Sequence, residues 1–450
     1  MSKKYFGTDG IRGTANKFPI TSEIALKVGQ AVGAKFINGN HRHRVLIGKD
    51  TRLSGYMVES ALTAGFLAVG MDVFLVGPVP TPAVSMLTKS LRADIGIMIS
   101  ASHNPFCDNG IKIFDKNGQK LSDEIEKEIE SLIDGDITPY LAEPEMIGKA
   151  KRIEDAGGRY VEFVKNSFPK EKSLEGLKIV VDCANGAAYA MAPEILWELG
   201  AQVISIGSSP NGSNINEKCG SNHPDLLIKT VLENKADIGI ALDGDADRLL
   251  VVDEKGKIVH GDKLIGLIAE KLHSTGNLKN DTVVATQMSN MALESYLRYF
   301  GVSLVRTNVG DRYVLEEMRK SGYNFGAEQS GHIVLGDYST TGDGLIAALQ
   351  ILEILSEKKK TVSQIANIFE LMPQILHNVK YQGDTNPLDI EEVKKAILDG
   401  EKVLDGSGRI LVRKSGTEKL IRIMIEGKDQ ILINKIALQI GGVIIGAFKS

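Results

Sequence analysis

The sequence predicts an α/β protein: three similar α/β domains with mixed sheets and a C-terminal α+β domain, set around a central cleft. Three observations lead there. Short apolar runs alternate with amphipathic stretches at the spacing of strand–helix–strand units. The same order recurs in three successive blocks, as in a chain built from repeated units. Beyond Pro373 the order changes to strand, helix, strand, strand, helix. The implied boundaries are 1–155, 156–256, 257–371 and 372–450.

The first block opens on Phe6-Gly7-Thr8-Asp9-Gly10-Ile11-Arg12-Gly13, which reads as a loop where backbone comes close to a neighbour. A helix from Ser22 to Phe36 follows, then the strand Val45 to Asp50, a helix from Tyr56 to Val69 and the strand Val73 to Val76. A helix after Thr81-Pro82 leads to the strand Ile95 to Ile99. The amphipathic helix of Leu121, Ile125, Ile129 and Leu132 closes the block, and Ile147 to Asp155 reads as a connector. The second block repeats the order with strands at Ile179–Asp182, Val203–Ile206 and Ile238–Leu242, the third with Val283–Ala285, Val302–Val305 and Phe325. Even letters recur: Ala93-Asp94-Ile95-Gly96-Ile97 matches Ala236-Asp237-Ile238-Gly239-Ile240. Beyond the last strand of each block stand Ser102, Asp243 and Glu328. Open α/β sheets bind ligands outside the carboxyl ends of their strands, so all three are expected to face one cleft.

Bulk composition narrows the function. A chain of 450 residues, 43% hydrophobic and 24% charged, is an ordinary globular protein with room for about three domains. The formal charge of −4, from 53 basic against 57 acidic residues, supplies no overall field for nucleic acid. Cys107, Cys183 and Cys219 are odd in number and not closely paired, which argues against a disulfide framework or zinc knuckle and fits a reducing, cytoplasmic setting. No apolar run approaches about 18 residues, so no membrane partner is expected.

The chemistry concentrates in four places. Ile97-Met98-Ile99 runs into Ser100-Ala101-Ser102-His103-Asn104-Pro105, and a strand end is a rigid mount for a reactive group. Phe106 to Gly110 adds turn sequence and brings Lys112 near the same loop. Adjacent Ser and His are not the spatial pair a nucleophile needs, so a plain connector is the competing reading. Asp243-Gly244-Asp245-Ala246-Asp247-Arg248 places carboxylates at alternate positions, and crowded carboxylates repel unless a cation sits between them. Oxygen-only donors favour Mg²⁺. An EF-hand loop fails here, because Arg248 stands where that loop needs Gly and the flanks read as strands. Gly326 to His332 offers Glu328, Ser330 and His332 for sugar hydroxyls and proton transfer. Arg413-Lys414-Ser415-Gly416-Thr417-Glu418 with Arg422 holds the inventory of a phosphate cradle. A serine near a divalent-metal site, with a separate phosphate holder, describes phosphoryl transfer.

These segments, in this order and over nearly the whole chain, resemble the α-D-phosphohexomutase superfamily. Ser102 to Pro105 is similar to its phosphoserine loop, Asp243 to Arg248 to its metal loop, Glu328 to His332 to its sugar loop and Arg413 to Glu418 to its phosphate loop. Phe6 to Gly13 and Gln329 are similar to the bacterial branch that acts on glucosamine phosphate. The resemblance implies a TATA-binding-protein-like fourth domain. It implies that phosphorylated Ser102 passes its phosphoryl group to glucosamine 6-phosphate, that the bisphosphate reorients, and that the other phosphate returns to Ser102. Glucosamine 1-phosphate leaves, feeding UDP-N-acetylglucosamine and cell-wall precursors. By the same resemblance one Mg²⁺ sits on Asp243, Asp245 and Asp247, and on Ser102 through its phosphate. Lys112 and His332 are implied for proton transfer, with His103, Arg12 and Arg248 beside the reacting group. Gly310, Asp311, Arg312, Glu328 and Ser330 are implied to hold the sugar, and Arg413, Ser415, Gly416, Thr417 and Arg422 the idle phosphate. A hexose or hexosamine 1,6-bisphosphate is the implied priming activator, a phosphorylated amino sugar the partner, and a homodimer one assembly the resemblance allows. Lys419 stands where many relatives have Pro. The rival readings are the same chemistry on glucose or mannose phosphate, a metal-dependent phosphatase, and a non-catalytic sugar-phosphate sensor.

Overall fold

The computed structural model describes residues 4–7, 9–382, 385–414 and 419–448. The chain forms two compact units, one of Met1–Thr286 with Val305–Asn367 and one of Gln287–Leu304 with Ile368–Ser450.

The strands at the heart of the first unit are apolar runs buried on both faces, as parallel strands covered by helices must be. Every residue of Ile95–Ile99, Ile238–Leu242 and Thr282–Thr286 is buried. In the first sheet Arg44–Lys49 lies parallel to both Asp72–Pro78 and Ile95–Ile99. In the second, Lys178–Asp182 lies parallel to both Gln202–Ile206 and Ile238–Leu242. In the third, Thr282–Thr286 is parallel to Phe325–Ala327, with Ser303–Thr307 at the edge. Each sheet adds an antiparallel strand after its parallel set: Asp108–Asp115, Leu249–Asp253 and Ile333–Leu335. The sheets are therefore mixed, as expected.

Three segments differ from the sequence reading. Gly10–Thr14, expected as a loop, is a strand antiparallel to Asp108–Asp115, with Ile11 opposite Ile111. Its glycines hide the signal but serve the pairing: Gly10 has φ +78°, and a Cβ there would collide with the Ile111 carbonyl. Asp108–Asp115 begins inside what reads as turn sequence. Within the expected connector, Ala150–Arg152 is an edge strand parallel to Asp72–Pro78; it is exposed and carries no apolar pattern.

The repeated pentapeptide has a physical explanation. Asp94 donates its N–H to the Arg44 carbonyl at 2.9 Å, and its carboxylate accepts the Arg44 N–H at 2.8 Å. Asp237 does the same with Lys178, at 2.9 and 2.7 Å. Each aspartate thus clamps the first residue of the neighbouring strand and sets register. Gly96 and Gly239 then leave room for helix side chains, Val84 and Thr88 in one copy and Leu227 and Val231 in the other.

Helices Ser22–Phe36 and Ser54–Ala68 cross where glycine meets glycine. A Cβ on Gly29 would lie 2.6 Å from the Leu62 carbonyl oxygen, and one on Gly65 2.9 Å from the Gln30 nitrogen. The helix Gly344–Lys358 is buried from Gly344 to Leu355, and its charged end, in the Ser356 to Lys360 run, is solvated. Among the described residues no helix is long and apolar enough to cross a membrane.

The second unit carries the expected α+β pattern. Leu420–Gly427 is the central strand of an antiparallel sheet, between Gln374–Lys380 and Gly408–Lys414. Helices Glu391–Leu404 and Gln430–Gly446 share a core with it through Val393, Leu404, Ile421, Ile423, Ile425, Ile436 and Ile440.

Backbone cannot yield at the glycine crossing as a flexible side chain could. Gly65→Ala should therefore lower stability by about 1–3 kcal/mol despite alanine's better helix propensity, read as a fall in the urea midpoint at unchanged m-value.

Candidate active site

The site is built on strand ends of the first unit. Ile95–Ile99 delivers Ser102 on a turn whose Ser102 φ is +54°, a left-handed conformation uncommon outside glycine. Several partners hold it there. The Ser102 N–H donates to Ser100 Oγ at 2.9 Å, and its carbonyl accepts from Arg52 Nη2 and Asn216 Nδ2, each at 2.9 Å. Arg52 is fully buried and spends its fork on this loop. It reaches the carbonyls of Asn104 (2.9 Å), Asp108 (3.1 Å) and Pro105, while Nε donates to Asp50 at 2.8 Å. Asp50 also accepts the Ser100 hydroxyl at 2.6 Å, closing the network.

Ile238–Leu242 delivers the acidic loop to the same place. Ser102 Oγ donates to Asp243 Oδ2 at 2.5 Å. Gly244 permits this approach, since a Cβ there would lie 2.5 Å from the Ser102 carbonyl oxygen. Asp245 Oδ2 accepts from Thr81 Oγ1 at 2.6 Å and Lys112 Nζ at 2.8 Å; Asp247 Oδ2 accepts from Lys112 at 3.2 Å. Asp243, Asp245 and Asp247 are all buried, and each offers a carboxylate oxygen within 4.8 Å of the others. Among the described residues the remaining oxygens of Asp245 and Asp247 are buried without a hydrogen bond. Burial, then Asp247 and Asp245, hold the Asp243 carboxyl well above its ordinary range. Orphaned oxygens and mutual repulsion are what a hard divalent cation would relieve, so the residues present fit the metal expected here.

The other predicted residues gather around this triad to different degrees. His103 Nδ1 lies 3.4 Å from Ser102 Oγ; burial, then the charges of Arg248 and Arg12, push its pKa down to about 4, so it is neutral at physiological pH. Arg12 pairs with Asp9 and reaches the Ala101 carbonyl at 3.5 Å. His332 is buried, 3.7 Å from Asp247 and 3.5 Å from Asp311. Arg248 and His332 form a backbone bridge that joins the acidic loop to the sugar-loop segment. In that segment Glu328 accepts the Gly310 N–H at 3.1 Å, and burial raises its pKa. Ser330 is exposed. Arg312 is engaged elsewhere, with Asp123 at 2.5 Å, Glu316 at 2.9 Å and Glu126 at 3.7 Å.

In the second unit Arg413 and Arg422 face each other on paired strands. Burial and then Arg422 hold the Arg413 pKa below its ordinary value, and Arg422 Nε is buried without a hydrogen bond among the described residues. Paired like charges are destabilising without an anion between them. Ser415, Gly416 and Thr417 lie outside the described residues.

Sequence reasoning missed Asp50, Arg52, Asn216, Thr81 and Lys120. The last donates to both Asp9 and Asp311, at 2.5 Å each. One signal was available: Val45 to Asp50 is an apolar strand ending in charge at its carboxyl end, where such sheets place function.

A serine hydroxyl on a buried carboxylate triad, with lysine and histidine against the same carboxylates, is the chemical inventory of metal-assisted phosphoryl transfer, carried on a scaffold of three related sheets. Phosphoglucomutase/phosphomannomutase alpha/beta/alpha domains I, II and III match residues 3–138, 158–256 and 260–372, and the C-terminal domain of that family matches 376–441. The chain belongs to the phosphoglucomutase/phosphomannomutase family. It is 59% identical over 444 residues to a phosphoglucosamine mutase of Parvibaculum lavamentivorans, covering 99% of each chain. A family protein from Burkholderia thailandensis shares the fold at TM-score 0.83 and 24% identity, covering 99% of this chain and 98% of that one. N-acetylphosphoglucosamine mutase of Aspergillus fumigatus, solved with GlcNAc-6P and magnesium, aligns at TM-score 0.67 and 17% identity, covering 100% and 96%.

Removing one partner of a buried ion pair strands the other. Arg52→Met should cost about 3–5 kcal/mol in urea unfolding, and adding Asp50→Asn should recover a substantial part of that loss while activity stays low.

Proposed function

We propose that the chain interconverts glucosamine 6-phosphate and glucosamine 1-phosphate, with Ser102 as the phosphoryl carrier. The observation that carries this reading is the Ser102 hydroxyl, 1% exposed and hydrogen-bonded to one member of a buried carboxylate triad. The 59% identity to a phosphoglucosamine mutase supports the amino-sugar substrate over glucose or mannose phosphate.

In this reading the free sugar hydroxyl attacks the phosphorus of phosphorylated Ser102, the Ser102 O–P bond breaks, and Ser102 departs as the leaving oxygen. The hydroxyl's proton passes by way of His332, against the triad, to the departing Ser102 oxygen, while Lys112, held as an ammonium ion by Asp245 and Asp247, sets positive charge beside the transferring group. After the bisphosphate turns, Ser102 Oγ attacks the phosphorus of the other phosphate, the sugar O–P bond breaks, the proton of the Ser102 hydroxyl passes to the released sugar oxygen, and the cycle closes with the serine phosphorylated again. Asp243, Asp245 and Asp247 would hold Mg²⁺, which when bound neutralises charge on the transferring phosphoryl oxygens. Glu328 and Ser330 are assigned to sugar hydroxyls, and Arg413, Ser415, Gly416, Thr417 and Arg422 to the idle phosphate. A 1,6-bisphosphate would restore a serine that has lost its phosphate. A cytoplasmic setting fits three cysteines that are all free thiols.

The deciding measurement is kcat/KM for glucosamine 6-phosphate against glucose 6-phosphate, with at least a tenfold preference for the amino sugar expected; preference for glucose 6-phosphate would overturn the assignment. Peptide mapping should find phosphate on Ser102, and Ser102→Ala should lose turnover by at least about a thousandfold, as loss of a covalent nucleophile does. Chelation should abolish activity in steady-state assays and added Mg²⁺ restore it.

A further inference from the structure

At the opposite end of the first sheet from Ser102, before the strand Arg44–Lys49, stands His41-Arg42-His43. His41 Nε2 lies 2.9 Å from Asp94 Oδ1, and His43 Nδ1 lies 3.4 Å from the same oxygen. The two imidazoles are 3.9 Å apart between ring centroids. One ligand atom from each of His41, His43 and Asp94 lies within 4.8 Å of the other two. Residues two apart on an extended segment share a face, and Arg42 accordingly turns away to Asp72 and to the carbonyls of Met146 and Ile147.

The fold does not require these imidazoles. Asp94 serves register through Oδ2, as Asp237 does in the second sheet. The positions before Lys178 that correspond to His41 and His43 are Glu175 and Leu177. Of these two sheets it is the first that turns the spare carboxylate oxygen towards two histidines. His43 is the telling residue: its side chain is 6% exposed, and among the described residues neither ring nitrogen has a well-directed hydrogen bond, Nδ1 meeting Asp94 Oδ1 only at 3.4 Å. A buried imidazole whose donor and acceptor are poorly met is costly, and two imidazoles beside one carboxylate oxygen form a donor set that a metal ion can satisfy.

We propose that His41, His43 and Asp94 form a second metal site, selective for a borderline divalent transition ion of the Zn²⁺ class. Two nitrogens and one oxygen suit Zn²⁺ and Co²⁺ rather than Mg²⁺, whereas the Asp243 triad offers oxygen alone. Three protein ligands leave a coordination position for water. The ion would tie the segment entering Arg44–Lys49 to the start of Ile95–Ile99, so its effect falls on stability and not on turnover.

The test uses the full chain, stripped with a chelator and held in excess Mg²⁺ to occupy the acidic triad. Competition against a chromophoric chelator should find one tight equivalent of Zn²⁺ per chain, and Co²⁺ should give the intense visible bands of a low-coordinate nitrogen-ligated ion. His41→Gln should weaken Zn²⁺ at least tenfold and abolish the Co²⁺ bands, with mutase activity in Mg²⁺ unchanged. His41 is 60% exposed, so this variant keeps its fold even if His43→Gln does not. Zn²⁺ should raise the Tm of the wild type and not that of His41→Gln. Equal Zn²⁺ stoichiometry and affinity in wild type and His41→Gln, or no tight equivalent in the wild type, would overturn the proposal.

Discussion

A buried guanidinium governs the reactive loop. Arg52 has no exposure to solvent, and its charge is met by Asp50 while its remaining donors take the loop's carbonyls from Ser102 to Asp108. A turn with a non-glycine residue at positive φ is unstable by itself. Here a planar fork with fixed donor directions holds it from beneath, a task a lysine could not perform because its ammonium is a point charge without that geometry. Asn216 adds a second grip from the neighbouring sheet, donating to the carbonyls of Ser102 and Asn104 at 2.9 and 3.0 Å. The position of the hydroxyl relative to Asp243 is thus set by groups that need not take part in the reaction.

The three sheets of the first unit reuse one frame with different cargo. In the first two, an aspartate clamps the neighbouring strand at its start, and a glycine one turn of pleat later admits the helix. In every copy the candidate site residues sit beyond the strand's carboxyl end, so in the first two the loops can diverge without disturbing the clamp. The proposed His41–His43–Asp94 site follows the same logic from the other end of a sheet. Because its donors include nitrogen and those of the acidic triad do not, two ions of equal charge can be sorted by donor softness.

Most of the architecture was legible because it rests on apolar runs: Ile95–Ile99 and Ile238–Leu242 have the same bounds in sequence and structure. What stayed hidden lacked that signal. Gly10–Thr14 pairs through backbone, with glycines where side chains would betray a strand, and Ala150–Arg152 is a polar edge. In the site, residues with motif chemistry were legible: Ser102 and Asp243 stand in contact although 141 positions apart. Arg52, Asn216 and Thr81 were not, because each is an ordinary polar residue until the fold buries it. Arg312, expected at the sugar, pairs with Asp123 and Glu316 in this structure, contacts that its motif does not announce.

The joining of the acidic loop to the sugar-loop segment has a consequence for the reaction cycle. Arg248 bridges to His332, the Leu249 N–H donates to the Gly331 carbonyl at 3.0 Å, and the Gly344 N–H donates to Ala246 at 3.0 Å. A Cβ on Gly331 would collide with the Leu249 carbonyl, so this seam is closed at van der Waals contact. Such a seam fixes the acidic loop and the sugar-loop segment to each other, so under the proposed reaction both present one joined surface to whichever end of the ligand is reacting. In that proposed cycle the turning falls to the bisphosphate, and each molecule that escapes while turning would leave one Ser102 without its phosphate until a bisphosphate returned.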